Sequence, residues 1–441
     1  MIKVVKFGGS SLASAEQFAK VGKIIQADKE RRYVVPSAPG KRNAKDTKVT
    51  DMLYACYALV EAEEDFRVPL MKIKDRYDTI INGLNLKLSL EEEFKKISEN
   101  FKNKAGVDYA ASRGEYLNGI IMANYLGYEF VDAAEVISFE EDGTFDAEKT
   151  NKVLAERLEK CERAVIPGFY GALPDGTIKT FSRGGSDITG SIVARAVHAT
   201  CYENWTDVSG FLMADPKIVK DPKPIERITY AELRELSYIG AQVLHEGTVS
   251  PVREKNIPLN IRNTNQPEHP GTMIRESFDE SETERSSGSM ITGIAGKKGF
   301  SVITITKNGM SSELGAVRRI LEVLERYNIN VEYLPSGIDS VSLVVETGKS
   351  SPYLYQAMGD LEKEIRPDSL HITDGMAIVA AVGRKMAFQP GSSGKIFGKL
   401  GENGINIRMI TQGPEELNII VGVDGPDFER AIRVLYDSFV K

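Results

Sequence analysis

The chain has 441 residues, 41% of them hydrophobic and 27% charged, and carries a net charge of −7 at neutral pH. That length divides into roughly two to four ordinary domains, and an acidic balance offers no electrostatic footprint for nucleic acid or an anionic membrane. No signal-peptide core opens the chain, no apolar run approaches the ~18 residues of a membrane span, and the three cysteines and four histidines lack metal-ligand or redox spacing. A soluble, cytoplasmic protein with no metal site of its own is expected.

Met1–Val5 reads as a first strand running straight into Lys6-Phe7-Gly8-Gly9-Ser10-Ser11. Two glycines let the backbone turn sharply and approach a ligand. The N–H groups of a turn that opens onto a helix attract anions, and lysine adds a mobile positive charge. The stretch therefore reads as a phosphate cradle, although it is neither the Walker pattern nor G-x-G-x-x-G; the alternative is an ordinary strand-to-helix turn. Ser14 and Gln17 form a capping box ahead of Phe18, Val21, Ile24 and Ile25 at helical spacing. "RYVVPSAPG" follows as strand and loop, completing a βαβ unit. Residues 60–110 are charged and helical, an insert over the sheet. The α/β rhythm resumes through "RAVIPGFYG", "TIKTFSRGGSD", "ITGSIVARAVHA" and "YENWTDVSG", then fades in 263–289, a polar, proline-bearing stretch that marks the domain boundary.

Beyond the boundary the chain repeats itself without gaps: 307–337 falls on 383–413. Met310 meets Met386, Gly315 meets Gly391, Ile320 meets Ile396, Leu324 meets Leu400, Ile329-Asn330 meets Ile405-Asn406 and Gly337 meets Gly413. Each copy reads strand, loop, helix, strand, turn, strand, helix. "SLHITDG" gives the first copy a last strand, whereas the second ends after its final helix, which would leave an open sheet edge. "SMITGIAG" (289–296) is a free strand able to fill it. The expected division is a first domain over 1–285, a module over 300–373, and a discontinuous module of 289–297 and 374–441.

Three further segments carry chemistry. "SRGE" (112–115) sets a carboxylate beside an arginine. "FSRGGSD" (181–187) follows a strand and opens a helix, with Arg183 able to grip a carboxylate in two-pronged fashion. "NWTDVSGFLMADP" (204–216) places Thr206 and Asp207 at a strand end, where open α/β sheets line their ligand crevice. Each alone is as easily an ordinary loop or helix cap. Together they supply lysine and glycines for phosphate, arginine for a carboxylate and acids for an amine or metal, a set suited to phosphoryl transfer onto a small amino acid.

"VVKFGGSSLAS", "SRGE", "FSRGGSD", "WTDVSGF…DP", "IGAQVLHEGTV" and "P…HPGT" resemble, in order and spacing, the signatures of the aspartate kinases. The resemblance implies an α/β three-layer sandwich with a mainly parallel sheet, the amino-acid-kinase fold, plus two C-terminal α+β ferredoxin-like (ACT) modules. It implies that Lys6, Phe7, Gly8 and Gly9 hold the phosphates of ATP, that Thr206, Asp207, Leu212 and Lys217 meet the nucleotide, and that Asp187 lies near the reacting groups and organises Lys6. Arg183 would clamp the aspartate α-carboxylate and Glu115 its α-ammonium, with Ser37, Thr50 and Ser186 lining the pocket. Two departures stand out: Leu212 replaces a common tyrosine, and Gln242 replaces a lysine that would touch ATP. Lys41, Arg42, Lys45 or Lys48, in a loop longer than usual, could restore that charge or simply form a solvated loop. The implied reaction is transfer of the γ-phosphoryl of MgATP to the β-carboxylate of L-aspartate, the first step towards lysine, threonine and methionine. Free aspartate is already ionised near neutrality, its carboxyl titrating near ~4, so no general base is needed.

The same resemblance implies feedback by L-lysine, with threonine the competing effector, at Met310, Gly315, Ala316, Val317, Glu332 and Gly337 of the first module. Helix-start N–H groups at Gly315–Val317 would take its carboxylate and Glu332 its ammonium. Arg408, the repeat equivalent of Glu332, would repel a cation. A homodimer or dimer of dimers through these modules is expected. A kinase for glutamate or acetylglutamate and a non-catalytic amino-acid sensor are the rival readings; with no dinucleotide fingerprint present, a fused homoserine dehydrogenase is not expected.

Overall fold

The computed structural model describes residues 1–182, 184–240, 244, 246–279, 289–387 and 389–440. They fall into two compact units, one of Met1–Phe211, Pro224–Tyr230 and Val243–Ser286, the other of Leu212–Lys223, Ala231–Gln242 and Ser287–Lys441. Among the described residues no helix is long and apolar enough to cross a membrane.

The first unit is built on eight strands: β1 (Lys3–Phe7), β2 (Arg31–Pro36), β3 (Glu129–Phe130), β4 (Ala164–Val165), β5 (Cys201–Thr206), β6 (Arg227–Thr229), β7 (Leu259–Asn263) and β8 (Thr272–Arg275). Their order across the sheet is β6-β8-β7-β5-β1-β2-β4-β3. Every neighbouring pair is parallel except β7 with β8. β8 lies inside the stretch read as the domain boundary: its four residues are too few for a periodic signal, and they gain strand form only by pairing between β6 and β7. The helices that bear on the site are α1 (Ala15–Gln26), α2 (Val49–Glu61), α3 (Arg67–Gly83), α4 (Glu91–Lys102), α5 (Val107–Leu126) and α6 (Gly185–Ala196); Ala133–Val136 and Ala147–Glu159 are also helical. Two more follow, α7 (Tyr230–Tyr238), which passes from this unit into the other, and α8 (Glu246–Arg253), which packs on α6.

Strand alternation sorts the two faces. Val5 and Phe7 of β1, with Val34 and Trp205, join the core formed with α1 to α5, so the charged helical stretch does cover the sheet. Lys6 points to the opposite face, where α6 packs against β1, β2 and β5. The expected capping box of α1 is half made: the Ser14 hydroxyl accepts from the Gln17 N–H at 3.4 Å, but the Gln17 side-chain amide donates to Asn265 at 3.3 Å.

The second unit carries an antiparallel five-stranded sheet in the order β10-β9-β11-β13-β12, from β9 (Gly293–Thr306), β10 (Ser340–Glu346), β11 (Ser369–Val382), β12 (Met409–Thr411) and β13 (Asn418–Asp424). Its helices are α9 (Ala316–Arg326), α10 (Thr347–Ile365), α11 (Ser392–Glu402) and α12 (Phe428–Phe439). β9 and β11 are long enough to serve both halves of the sheet. Gly293–Lys298 pair with Ala377–Val382, which in turn pair with β13, while Phe300–Thr306 pair with β10. The repeat has a physical basis here. Met310 and Met386, Ile320 and Ile396, Leu324 and Leu400, and Ile329 and Ile405 are all buried. Gly315 and Gly391 both precede a helix with φ of 77° and 86°, a left-handed conformation that favours glycine. The copies differ after the first helix: β12 is a strand, whereas 330–337, read as a strand from sequence, makes only two isolated bridges, Tyr333 to Val344 and Ser336 to Val341.

Candidate active site

The ends of β1, β2 and β5 meet where the chain turns away in opposite directions, the position at which an open α/β sheet leaves a crevice. Here the two glycine-bearing loops interlock. The Gly40 N–H donates to Gly9 O at 2.7 Å, and a Cβ on Gly9 would come within 2.9 Å of Ala38 O, one on Gly40 within 2.5 Å of Gly9 C. The Gly8 N–H donates to Trp205 O at 2.9 Å, continuing the strand pairing.

Lys6 is buried, and its Nζ lies 2.5 Å from Asp187 Oδ1. The same carboxylate oxygen accepts from Asn204 Nδ2 at 2.8 Å, and Asn204 Oδ1 accepts from Lys6 at 3.4 Å. Parallel pairing sets Asn204 directly opposite Lys6 on the next strand. A Cβ on Gly8 would sit 3.6 Å from that Nζ, so the ammonium lies over the Gly8-Gly9 turn. Tyr202 Oη donates to the Asp187 main-chain O at 2.9 Å and pins the first turn of α6.

Glu115, on α5, is buried with its Oε2 lacking any hydrogen-bond partner. Burial pushes its carboxyl up to about 8, against the pull of main-chain N–H groups at Ala38 and at Glu115 itself and of the Lys6 charge. Gly114 lets α5 approach this closely: a Cβ there would be 2.8 Å from the Ala38 Cβ and 3.7 Å from Thr50 Oγ1. The Ser37 N–H donates to Phe7 O at 3.1 Å, and Asn118 Nδ2 donates to Ser37 O at 2.6 Å. Ser186 packs on Gly168, where a Cβ would lie 2.7 Å from Ser186 Oγ, and the Gly168 N–H donates to Pro36 O at 3.2 Å. Beside it Phe169 holds a φ of 82°, a strained value for a residue with a side chain.

Lys6, Gly8, Gly9, Ser37, Thr50, Glu115, Ser186 and Asp187 are thus linked by a chain of contacts around one crevice. Phe7 points away into the core, where its ring stacks on Trp205 at 5.9 Å, so only its backbone faces the turn. Thr206 and Asp207 close the end of β5, the Thr206 hydroxyl 3.2 Å from Asp207 Oδ1. Leu212 and Lys217 belong to the segment that clusters with the second unit. Arg183, Gln242 and His245 lie outside the described residues. Of the four loop cations, Arg42 is committed to Asp46 through contacts of 2.9 and 3.0 Å, and the buried Arg76 reaches the same carboxylate at 2.6 Å. Arg42, then Arg76, holds Asp46 well below the usual carboxylate range. Lys41, Lys45 and Lys48 are exposed.

Sequence reasoning passed over Asn204 and Asn118. Asn204 had a signal, since it shares the register and face of Lys6 across adjacent parallel strands; Asn118, one helical turn from Glu115, had a weaker one. Among the described residues no three His, Cys, Asp or Glu side chains gather as a metal cage. A magnesium ion expected with ATP would be held mainly by phosphate oxygens, and Asp187 is the carboxylate beside Lys6 that it would meet.

In the second unit, Met310 and Ala316 are buried, Gly315 starts α9 and Val317 is exposed. The Ala316 N–H, assigned to an effector carboxylate, already donates to Glu313 O at 3.2 Å, because the tight turn at Gly315 folds it back. Gly337 donates to Ser340 O at 2.8 Å in the turn before β10. Glu332 Oε2 accepts from Tyr238 Oη at 2.6 Å and Oε1 from Asn330 at 2.9 Å. Arg408, its repeat counterpart, pairs with Asp424 at 2.9 Å.

Comparison with known proteins places these features in context. Residues 1–263 match the Amino acid kinase family and residues 379–439 an ACT domain. Aspartokinase 3 of Bacillus subtilis is 36% identical over 99% of this chain and 98% of its own. The crystal structure of Clostridium acetobutylicum aspartate kinase superposes with a TM-score of 0.91 at 51% identity, covering 99% of both chains. E. coli aspartokinase III, 25% identical over the whole of both chains, has been solved with aspartate and ADP as an R-state (TM-score 0.74) and with lysine and aspartate as a T-state (0.75).

Proposed function

The chain belongs to the amino acid kinase family, among its aspartate kinases, and on that premise we propose that it transfers the γ-phosphoryl of ATP to the β-carboxylate of L-aspartate, giving 4-phospho-L-aspartate. The observation that carries this reading is the Lys6–Asp187 contact over the Gly8-Gly9 turn, with the buried Glu115 carboxyl, one oxygen unpartnered, in the same crevice. The Lys6 ammonium stabilises charge on the transferring phosphoryl, and Asp187 with Asn204 holds it in place. Glu115 receives the α-ammonium of aspartate, and Arg183 its α-carboxylate. Ser37, Thr50 and Ser186 orient the substrate; Thr206, Asp207, Leu212 and Lys217 contact the nucleotide. Magnesium, when bound, neutralises phosphate charge. The nucleophile is already ionised, so positioning and charge neutralisation supply the catalysis. ADP release against a panel of amino acids, with hydroxylamine trapping of the acyl phosphate, tests it: aspartate should be turned over, and glutamate and acetylglutamate should not.

The product stands at the first step towards lysine, threonine and methionine, and the complex of the E. coli relative with lysine supports L-lysine as the feedback effector here, its ammonium at Glu332. The strand pairing described above supports dividing the second unit into a module of 300–373 and one of 289–297 with 374–441. Leu314 and Ile338, 96% and 78% exposed, favour association of two subunits through the first module, and sedimentation of the full chain should return a dimer or tetramer. The molecule works in the cytoplasm.

A further inference from the structure

Glu332, the carboxylate read above as the partner of an effector ammonium, is already occupied. Tyr238 Oη donates to its Oε2 at 2.6 Å and Asn330 Nδ2 to its Oε1 at 2.9 Å. Its neighbour across the same small cavity is served differently. Glu346 is paired with the ammonium groups of Lys297 and of Lys349, the latter at 2.6 Å. Of the two carboxylates, Glu346 has cations, whereas both hydrogen bonds described for Glu332 come from neutral donors. An arriving ammonium therefore gains most at Glu332, where it replaces a hydrogen bond from a neutral phenol by an ion pair.

The cavity itself, lined by Tyr238, Ile239, Lys297, Phe300, Tyr333, Ile378 and the two acids, has room for about 10 Å³, no more than one water. An amino-acid side chain cannot enter while Tyr238 stays in place. Tyr238 is free to leave: it is the last residue of α7 and 57% exposed, so swinging out breaks no core packing.

We propose that the Tyr238 hydroxyl is a built-in competitor of the effector: Glu332 binds either the phenol or the effector's ammonium, and effector binding expels Tyr238 from the end of α7. The proposal rests on the reading of Glu332 as the effector carboxylate. Expulsion acts on a short stretch of chain. Eight residues beyond Tyr238 in the sequence α8 begins, and it packs on α6, the helix that carries Ser186 and Asp187. The competitor sets the effector concentration at which inhibition begins, because the effector's apparent affinity is reduced by the fraction of molecules in which Glu332 is taken.

The test uses the full-length enzyme and L-lysine, with calorimetric titration and kinase inhibition curves for wild type, Tyr238→Phe and Glu332→Gln. Phenylalanine keeps the ring and removes only the hydroxyl. Lysine should bind Tyr238→Phe roughly tenfold more tightly, with inhibition shifted equally and basal turnover unchanged, since one hydrogen bond to a carboxylate no longer competes. Unchanged or weaker binding to Tyr238→Phe, with binding abolished in Glu332→Gln, overturns the competitor and leaves the effector carboxylate standing. Lysine binding that survives Glu332→Gln intact, or a wild type that binds no lysine, overturns both.

Discussion

Glu115 and Glu332 are each assigned the ammonium of an amino acid, and the molecule keeps them waiting in opposite ways. Glu115 is buried with one oxygen unpartnered, and burial pushes its carboxyl up to about 8. Glu332 is only half-buried, and both its oxygens accept hydrogen bonds from neutral groups. The difference teaches what competes with the ligand in each place. At Glu115 the competitor is a proton, because desolvation disfavours the lone anion; at Glu332 it is a phenol.

The largest expected effect separates both carboxylates from the chemistry. Lys6→Ala should lower kcat by ~10²-fold or more, since its charge acts on the moving phosphoryl, while calorimetric binding of lysine stays as in wild type. Near-normal turnover would remove Lys6 from that role. Next in size, Glu115→Gln and Arg183→Ala should each raise the KM for aspartate by roughly ten- to a hundredfold and leave that for ATP nearly unchanged. Equal effects on both substrates would move either residue to the nucleotide side.

The proton's part at Glu115 is visible in pH. Ammonium binding favours the ionised carboxylate, so the KM for aspartate should fall as pH rises from about 6 towards about 8, by up to about tenfold per unit. Glu115→Gln should flatten the profile, and a wild-type profile already flat would show that the carboxyl is ionised throughout. Stability runs the other way. The folded protein keeps a proton that the unfolded chain sheds above about 4.5, so this stabilisation is full below that value and lost as pH rises through about 8. Urea titrations of wild type and Glu115→Gln across that range measure it. The smallest effect belongs to the second module: Arg408→Glu breaks an exposed pair with Asp424 worth about 0–1 kcal/mol. It should shift lysine affinity less than about twofold and the melting temperature by only a few degrees. A new high-affinity lysine site there would mean that the residue at this repeat position alone makes an effector site.

Much of this was legible in the chain. The Gly8-Gly9 pair announced a close approach, and Gly9 does meet Ala38; the approaches of Gly114 to Ala38 and Thr50 and of Gly168 to Ser186 emerged only with the fold. The repeat announced a shared framework, and its matched apolar positions are buried in both copies. Less legible were short elements that exist only by pairing, such as β8, and residues such as 330–337 whose strand-like composition found only two bridges.

What the sequence determined alone were local properties: the order of strand, glycine turn and helix, the residues able to cap or bend, and the periods that say which side chains share a face. These depend on backbone sterics and on burial patterns a few residues long. Only the tertiary structure decided that Asn204 stands opposite Lys6 and joins it to Asp187, that Glu115 is sealed from water with one oxygen unpartnered, and that Tyr238 meets Glu332. Each joins residues far apart in the chain, through strand register, helix packing and desolvation that no stretch of sequence holds by itself.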